Sequence, residues 1–482
     1  MDRRRFLKTA GVAASTLFSA NVFAASGGGD RPNMLLLIGD DMTWYDCEPY
    51  GNPDVSTPNM SRLARQGMCF DAMFTPSAMC APTRMALYSG LYPVRSGGYP
   101  NHSRVYDGVR SLPIYLDDLG YRVGLLGKKH FGPGESFPFE QLGGKRAVNN
   151  DLGRIKEFMN RDQDQPYCLI VASNEPHKPW NKKLEAVKYD ADELNVPPSL
   201  IDCEVTRNGL VDYYGEISFL DHTLGQCMRM VDESGQTDNT IVMFASEQGS
   251  CFPFAKWTCY DGGLRAAFMV RWPGKVKPGT RTGALSSYVD ITPTLVEIAG
   301  GDPEAIDTGC PDAYGNRGFD GRSLLDVLQG RTNHHWDYVY GLQTTRGINN
   351  GSGCYPVRAV RSERYRYIRN LNHEATFHNV ATGQPYYTRW KELVEQGKAD
   401  PERVRLYQHR PPEELYESAE DRFELHNLAE RSSMAEEKEN LDERLKEWMK
   451  QQGDKGIETE MNAINRQPHR KNWKSWEEKH GK

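Results

Sequence analysis

Asn33-Met34-Leu35-Leu36-Leu37-Ile38-Gly39-Asp40-Asp41 is an uncharged, mostly apolar run closed by a glycine and two carboxylates. A run this apolar, with no polar alternation, suits a strand covered on both faces. Comparable runs recur at Arg122 to Leu126, Tyr167 to Ala172, Thr240 to Ala245 and Ala267 to Trp272. Helical stretches lie between them. Thr57-Pro58 supplies a cap and an N1 proline for one helix, which Gly67 closes. Tyr213, Ile217, Leu220 and Leu224 mark a second within Asn208 to Val231, and Pro293 to Ala299 carries a third. Strands alternating with helices predict an α/β fold, a mostly parallel sheet sandwiched by helices.

From about Val339 the texture changes. Arg358 to Ile368 alternates apolar and charged residues, as a half-exposed antiparallel strand does, and beyond Glu413 the chain is charged and mostly helical in pattern. The expected organisation is a catalytic domain over residues 25–338 and a smaller C-terminal α+β subdomain with an antiparallel sheet over residues 339–482. Acidic residues interleave with the basic end around Arg470 to Lys482, which therefore reads as a solvated face.

The 482 residues can hold two or three structural units, and 26% charged residues with no long apolar span argue against disordered, fibrous and multi-pass membrane classes. With 59 basic and 65 acidic residues the net charge is -6. Such a chain has no general attraction for nucleic acid or anionic lipid, so neither nucleic acid nor stable membrane association is expected. An anionic ligand must be held by a local cluster of cations. Residues 1–24, with Arg3-Arg4-Arg5-Phe6-Leu7-Lys8 before a weakly apolar stretch and Ala24-Ala25, read as a twin-arginine export signal. The expected location is periplasmic or secreted. The ten cysteines are scattered; Cys168 and others in strand-like runs read as small buried hydrophobes, and only Cys251 and Cys259 lie close enough to suggest a local bridge.

In an open parallel sheet the working residues gather just past the carboxyl ends of the strands. Asp40-Asp41 follow the first run, Lys128-Lys129-His130 the second, Asn174-Glu175-Pro176-His177 the third and Glu247-Gln248 the fourth. Asp40, Asp41, Glu247 and the amide of Gln248 make an all-oxygen set suited to a hard divalent cation, with Ca²⁺ favoured over Mg²⁺ if the loops are flexible. No Cys/His zinc pattern is present. Cys80 stands just before Pro82, which can open a helix, so its side chain would face an N-terminus that favours anions. Arg84, one turn in, offers a planar fork to an oxyanion. His102 and Arg104, shortly after that helix, are candidates for touching a substrate.

Cys80-Ala81-Pro82-Thr83-Arg84, the continuation Ser89-Gly90-Leu91-Tyr92-Pro93, and Gly127-Lys128-Lys129-His130-Phe131-Gly132 carry a family resemblance, as do the late Leu415-Tyr416 and Asn427-Leu428-Ala429. The chain resembles the formylglycine-dependent sulfatases of the alkaline phosphatase superfamily over essentially its whole mature length. The resemblance implies an alkaline-phosphatase-like fold and a sulfuric ester hydrolase. It implies that a formylglycine-generating maturation enzyme oxidises Cys80, whose hydrated aldehyde is the nucleophile. Asp40, Asp41, Glu247 and Gln248 would bind the metal together with residue 80, while Arg84, Lys128, Lys256, His130 and His177 would surround the sulfate. His177 or Lys256 would protonate the leaving alcohol, and His130 would take the proton of the second hydroxyl. One departure stands out. The family usually has Asp followed by Asn or His where this chain has Glu247-Gln248, which lengthens the ligands but keeps a carboxylate and an amide oxygen. The expected substrate is a sulfated carbohydrate. The rival readings are phosphodiester or phosphonate monoester hydrolysis on the same fold, and a non-catalytic protein that binds sulfated glycans.

Overall fold

Leu35 and Leu37 of β1 (Asn33–Gly39) are buried on one side of the strand, and Met34, Leu36 and Ile38 on the other. The two sets belong to separate apolar clusters, so β1 lies in the middle of a sheet covered on both faces, as its uninterrupted apolar run requires. The computed structural model describes residues 31–470 and 472–481, and the expected export signal at residues 1–24 lies outside them.

The other strands of this sheet are β2 (Met68–Phe70), β4 (Arg122–Gly127), β5 (Glu140–Gly143), β6 (Tyr167–Ala172), β7 (Thr240–Ser246), β8 (Phe268–Arg271) and β9 (Thr280–Thr282); β3 (Met73–Phe74) and β10 (Ser286–Ser287) form a separate short pair. The order is β5-β4-β6-β1-β7-β8-β2-β9, and β8 alone runs antiparallel to its neighbours. The expected helices cover Pro58–Gln66, Glu204–Glu233 and Ile291–Ile298. Thr57 stands at the N-cap of the first without a side-chain cap hydrogen bond. No helix among the described residues is long and apolar enough to cross a membrane.

The second sheet, β11 (Val339–Gln343), β12 (Val357–Arg361), β13 (Tyr365–Asn370) and β14 (Glu413–Glu417), is antiparallel throughout, in chain order. Here the sequence reading needs correction. Arg358 to Ile368 is not one strand but two, joined by a turn in which the Ser362 amide donates to the Tyr365 carbonyl at 2.9 Å. Nor is it half exposed, because every residue of β12 is buried. Arg358 pairs with Asp454 and Arg366 with Asp261. Leu441, Leu445 and Trp448 of the helix Ala435–Gln451 share an apolar cluster with Val360 and Tyr367, while Ala359 and Ile368 pack into the core of the large sheet. Covered on both faces, this sheet keeps its alternating charges by pairing them internally.

All ten cysteines are free thiols. The bridge suggested between Cys251 and Cys259 does not form: both are buried, the Cys259 thiol donates to the Val357 carbonyl at 3.9 Å, and the Cys251 carbonyl accepts from the Tyr386 hydroxyl at 2.7 Å.

Candidate active site

The register of four adjacent strands builds the site. Gly127 of β4 pairs with Ala172 of β6, Ala172 with Ile38 of β1, and Ile38 with Ala245 of β7, so the strands end almost in one row. Backbone bonds continue the ladder one step further: Lys128 N–H donates to the Ala172 carbonyl, Ser173 to Ile38 and Glu247 to Gly39, at 2.7 to 2.9 Å. Asp40, Lys128 and Glu247 are thereby delivered to one edge. Gly127 turns there at φ 109°, and a Cβ on it would lie 2.1 Å from the Ala172 carbonyl oxygen, so only glycine fits.

Cys80 is the first residue of the helix Cys80–Ser89, which begins two residues before Pro82 rather than at it. Proline costs nothing there, since no amide of the first turn needs an intrahelical acceptor. The buried Cys80 sulfur lies 3.4 Å from Asp40 Oδ1, 3.8 Å from Asp41 Oδ1, 3.3 Å from Lys256 Nζ and 3.5 Å from Gln248 Nε2. Lys128 pairs with Asp40 and Lys256 with Asp41, while Gln248 Nε2 donates to Asp41 Oδ1 at 2.6 Å. Arg84 holds Glu247 with both arms of its fork, Nε at 2.7 Å and Nη2 at 2.9 Å, and gives Nη1 to the Lys128 carbonyl at 2.8 Å. His177 Nε2 lies 3.7 Å from Asp41 Oδ2.

Three carboxylates and three strong cations thus meet almost out of contact with solvent. Burial, with Asp40 and Glu247 adding to it, pushes the Cys80 thiol up to about 12. As a plain thiol it is therefore protonated and a weak nucleophile. Burial raises the Glu247 carboxyl to about 7 against the pull of Arg84. Burial acts on Asp40 in the same sense, but Lys128, His177 and Arg84 outweigh it and keep that carboxyl well below its ordinary range. Burial and then Lys128 hold the His130 imidazole neutral, and its Nε2 faces His102 Nδ1 at 2.8 Å.

The donors suit a hard divalent cation. Gln248 Oε1 is buried without a hydrogen-bond partner, and one ligand atom each from Asp40, Cys80 and His177 lie within 4.8 Å of one another. An orphaned amide oxygen beside carboxylates is costly unless something positive completes it. Glu247 is reached by Arg84 from the helix that begins at Cys80.

Cys80 opens into a cavity of about 600 Å³ lined also by Asp41, Lys128, His130, His177, Lys256 and His102. The remaining expected residues fall outside that lining. Arg84 is fully buried behind Glu247 and acts on the site through Glu247 and Lys128. Arg104 is exposed and meets Arg466 through its carbonyl. Lys129, noted beside Lys128 at the strand end, also lines the cavity, as do Lys145, Lys178 and Arg470, which sequence reasoning overlooked. Lys129 and Lys178 adjoin residues already singled out; Lys145 lies in a featureless loop, and Arg470 contradicts the reading of the basic end as a solvated face. Backbone strain gathers here too: Asp41, His102, His130, Phe254 and Trp257 adopt positive φ between 54° and 66°.

Comparison with known proteins agrees with this geometry. The Sulfatase family model matches residues 32–154 and 152–301, and the model for the C-terminal part of N-sulphoglucosamine sulphohydrolase matches residues 249–381. An ulvan-active sulfatase of Formosa agariphila is 32% identical over 435 residues, 88% of this chain and 81% of that protein. The human N-sulphoglucosamine sulphohydrolase is 28% identical over 465 residues, 87% of this chain and 90% of that one. Among solved structures, one in complex with its substrate D-glucosamine-2-N,6-O-disulfate aligns with a TM-score of 0.64 at 17% identity, covering 89% of this chain and 99% of its own. The phosphonate monoester hydrolase of Agrobacterium radiobacter aligns with a TM-score of 0.62, also at 17% identity, over 89% and 97%. At that identity these two alignments speak for the fold alone. The breadth of the family match and the identity to the Formosa protein go further, and the chain belongs to the sulfatase family of the alkaline phosphatase superfamily as an enzyme, a sulfatase.

Proposed function

We propose that this sulfatase removes sulfate from a sulfated carbohydrate, using a formylglycine made from Cys80 by a maturation enzyme and a divalent cation, Ca²⁺ in preference to Mg²⁺. The observation that carries the reading is the placement of Cys80 at the base of a cavity lined by six Lys and Arg side chains and a single carboxylate, Asp41. The names of the two relatives, one active on ulvan and one on N-sulphoglucosamine, point the same way. The twin-arginine pattern at residues 1–24 supports export to the periplasm or beyond, where sulfated polysaccharides are met.

Asp40, Asp41, Gln248 and Glu247 would hold the cation, which supplies Lewis-acid stabilisation of charge on the sulfate oxygens. Formylglycine would supply a hydrated aldehyde, with one hydroxyl to attack sulfur and a second whose deprotonation lets sulfate leave. The chain's own groups do the rest. Lys128 and Lys256, both lining the cavity, offset the negative charge that gathers on the sulfate during displacement. His177 lines the cavity beside Asp41, with Nδ1 at 2.6 Å from the Lys178 carbonyl. With Nδ1 donating to that carbonyl, His177 would act as the doubly protonated imidazolium, whose Nε2 proton would pass to the departing alcohol. Neutral His130 is suited to accept the proton of the second hydroxyl. Arg84 orients Glu247 and ties it to the end of β4.

The test is intact-peptide mass spectrometry on protein made with its maturation machinery, combined with sulfate release from sulfated glycans. An aldehyde at Cys80 with sulfate turnover is expected. An unmodified Cys80 would overturn the reading, and faster turnover of phosphate or phosphonate esters than of sulfate esters would replace it with the phosphonate hydrolase alternative.

A further inference from the structure

The cavity holds more positive charge than the cleavage of one sulfate needs. Lys128 and Lys256 are paired with Asp40 and Asp41, but Lys129, Lys145, Lys178 and Arg470 form no ion pair among the described residues. Four uncompensated cations around one cavity repel each other and persist at a cost unless a ligand offsets them. In a chain of net charge -6 this is a local concentration rather than a general basicity.

Lys145 and Arg470 line the cavity together with His102 and Asn349. The ring of His102, at the cavity mouth, has its pKa lowered to about 4, by desolvation first and then by Arg470, Lys128, Lys256 and Lys145. Arg470 is also a positioned group. Its Nη1 donates to Asn349 Oδ1 at 2.9 Å, and the segment carrying it is tied down on both sides. Arg466 donates to the carbonyls of Gly97 and Arg104 at 3.1 and 2.8 Å, Gln467 donates to the Asn101 carbonyl, and Trp473 donates to the Ile348 carbonyl at 3.1 Å. A cation held this way keeps its place at the rim instead of swinging into solvent.

We infer that Lys145 and Arg470 form a second anion subsite at the mouth of the cavity, which takes a further sulfate or a carboxylate on the same glycan as the ester that is cleaved. The inference rests on the sulfated-carbohydrate reading above and narrows it to polyanionic glycans. The remaining two cations, Lys129 and Lys178, widen the positive field without being needed at the subsite. The shared chemistry is a rigidly attached oxyanion beside the reacting one; its source is either a second sulfate on the same sugar or the carboxylate of a neighbouring uronate.

Binding without turnover separates this subsite from the reaction. Full-length protein carrying Cys80→Ala is titrated calorimetrically with glucosamine 6-sulfate, glucosamine N,6-disulfate, and a disaccharide joining a uronate to a monosulfated hexosamine. At least one of the dianions should bind about ten-fold tighter than the monosulfate, as two partly solvated charge contacts allow. Which dianion gains identifies the source. The advantage should shrink with added salt. It should also disappear in the Lys145→Ala/Arg470→Ala double variant and be largely restored with Arg470→Lys, with unchanged melting curves showing that the fold is intact; the single Lys145→Ala variant, altering an exposed residue, should lose part of it. Equal binding of all three ligands, no binding of any, or a preference that survives the double substitution would overturn the inference. Failure of matured enzyme to release sulfate would count against the proposed function instead, and leave these binding results readable.

Discussion

Two buried charge networks can be set side by side in this molecule. One joins Asp40, Asp41 and Glu247 to Lys128, Lys256 and Arg84 at the ends of the parallel strands. The other, the seam, consists of pairs buried on the two faces of the second sheet: Asp261 and Glu424 meet Arg366 on the face toward the large sheet, and Asp454 meets Arg358 on the opposite face, beside the helix Ala435–Gln451. Both are nearly cut off from solvent. They differ in what they face. Asp41, Lys128 and Lys256 of the first line the cavity, and the buried amide oxygen of Gln248 beside them has no partner, whereas no member of the second lines that cavity. Of the seven non-glycine residues at positive φ among the described residues, five are on the loops around the first network, and only Glu424 belongs to the second. The open acceptor at the cavity faces no cation of its own among the described residues, whereas Glu424 Oε1 in the seam, also without a hydrogen bond, lies 3.0 Å from Arg366 Nε. Burial of charge alone does not distinguish function from structure.

The sharpest way to break this contrast is Cys80→Ala. It should lower sulfate turnover by about 10⁴-fold or more while the protein melts as the wild type does. Surviving turnover would remove Cys80 from the chemistry. Glu247→Gln keeps the size of the side chain but removes a charge from the proposed cation site. It should lose bound metal by elemental analysis and cost about 10²- to 10³-fold in rate; unchanged metal content would exclude Glu247 as a ligand. The matching change in the seam, Asp454→Ala, should behave in the opposite way. It leaves Arg358 buried without its carboxylate, so denaturant unfolding should show a loss of about 3–5 kcal/mol, with kcat preserved at temperatures where the variant is folded. A loss of kcat without a loss of stability would mean that the seam is part of the working site.

His177→Ala probes a smaller effect within the first network. A proton donor matters most when the leaving alcohol is basic, so the rate on sugar sulfates should fall by about 10²-fold and that on activated aryl sulfates far less. Equal losses on both substrates would argue against proton donation by His177.

The contrast also explains how much the sequence could reveal. The large sheet was legible because β1, β6 and β7 are uninterrupted apolar runs, and the loops that follow β1, β4, β6 and β7 carry carboxylates, lysines and histidines at the strand ends. The seam was misread for a related reason. Alternating charge in Arg358 to Ile368 looks like a wet face, since sequence shows the charge of Arg358 and Arg366 but not the partners Asp454 and Asp261, which lie 96 and 105 residues away. Arg84 was expected at the sulfate for the same local reason: a fork one turn from Cys80 suits an oxyanion, and only the fold shows that Glu247, 163 residues on, takes it. Arg470 stayed hidden because nothing in a charged tail says that it folds back over Asn349.

The seam makes one further prediction, the mildest, through its acid response. Burial alone would raise the Asp454 carboxyl, but Arg358 and the hydrogen bonds around it bring it below its ordinary value. In the unfolded chain the group should titrate near the usual value of about 3.9. Between the folded and unfolded values the unfolded state holds more protons, so stability rises with pH across that window. The contribution of Asp454 is therefore fully present above about pH 4 and is lost as the pH falls through the lower folded value. Asp454→Asn, which cannot titrate, should start less stable at neutral pH and show a flatter acid limb in unfolding curves taken from pH 5 downward. If the two proteins lose stability in parallel on acidification, the ionised Asp454 does not carry the acid sensitivity of the seam, and the line between its closed network and the open one at the strand ends must be redrawn.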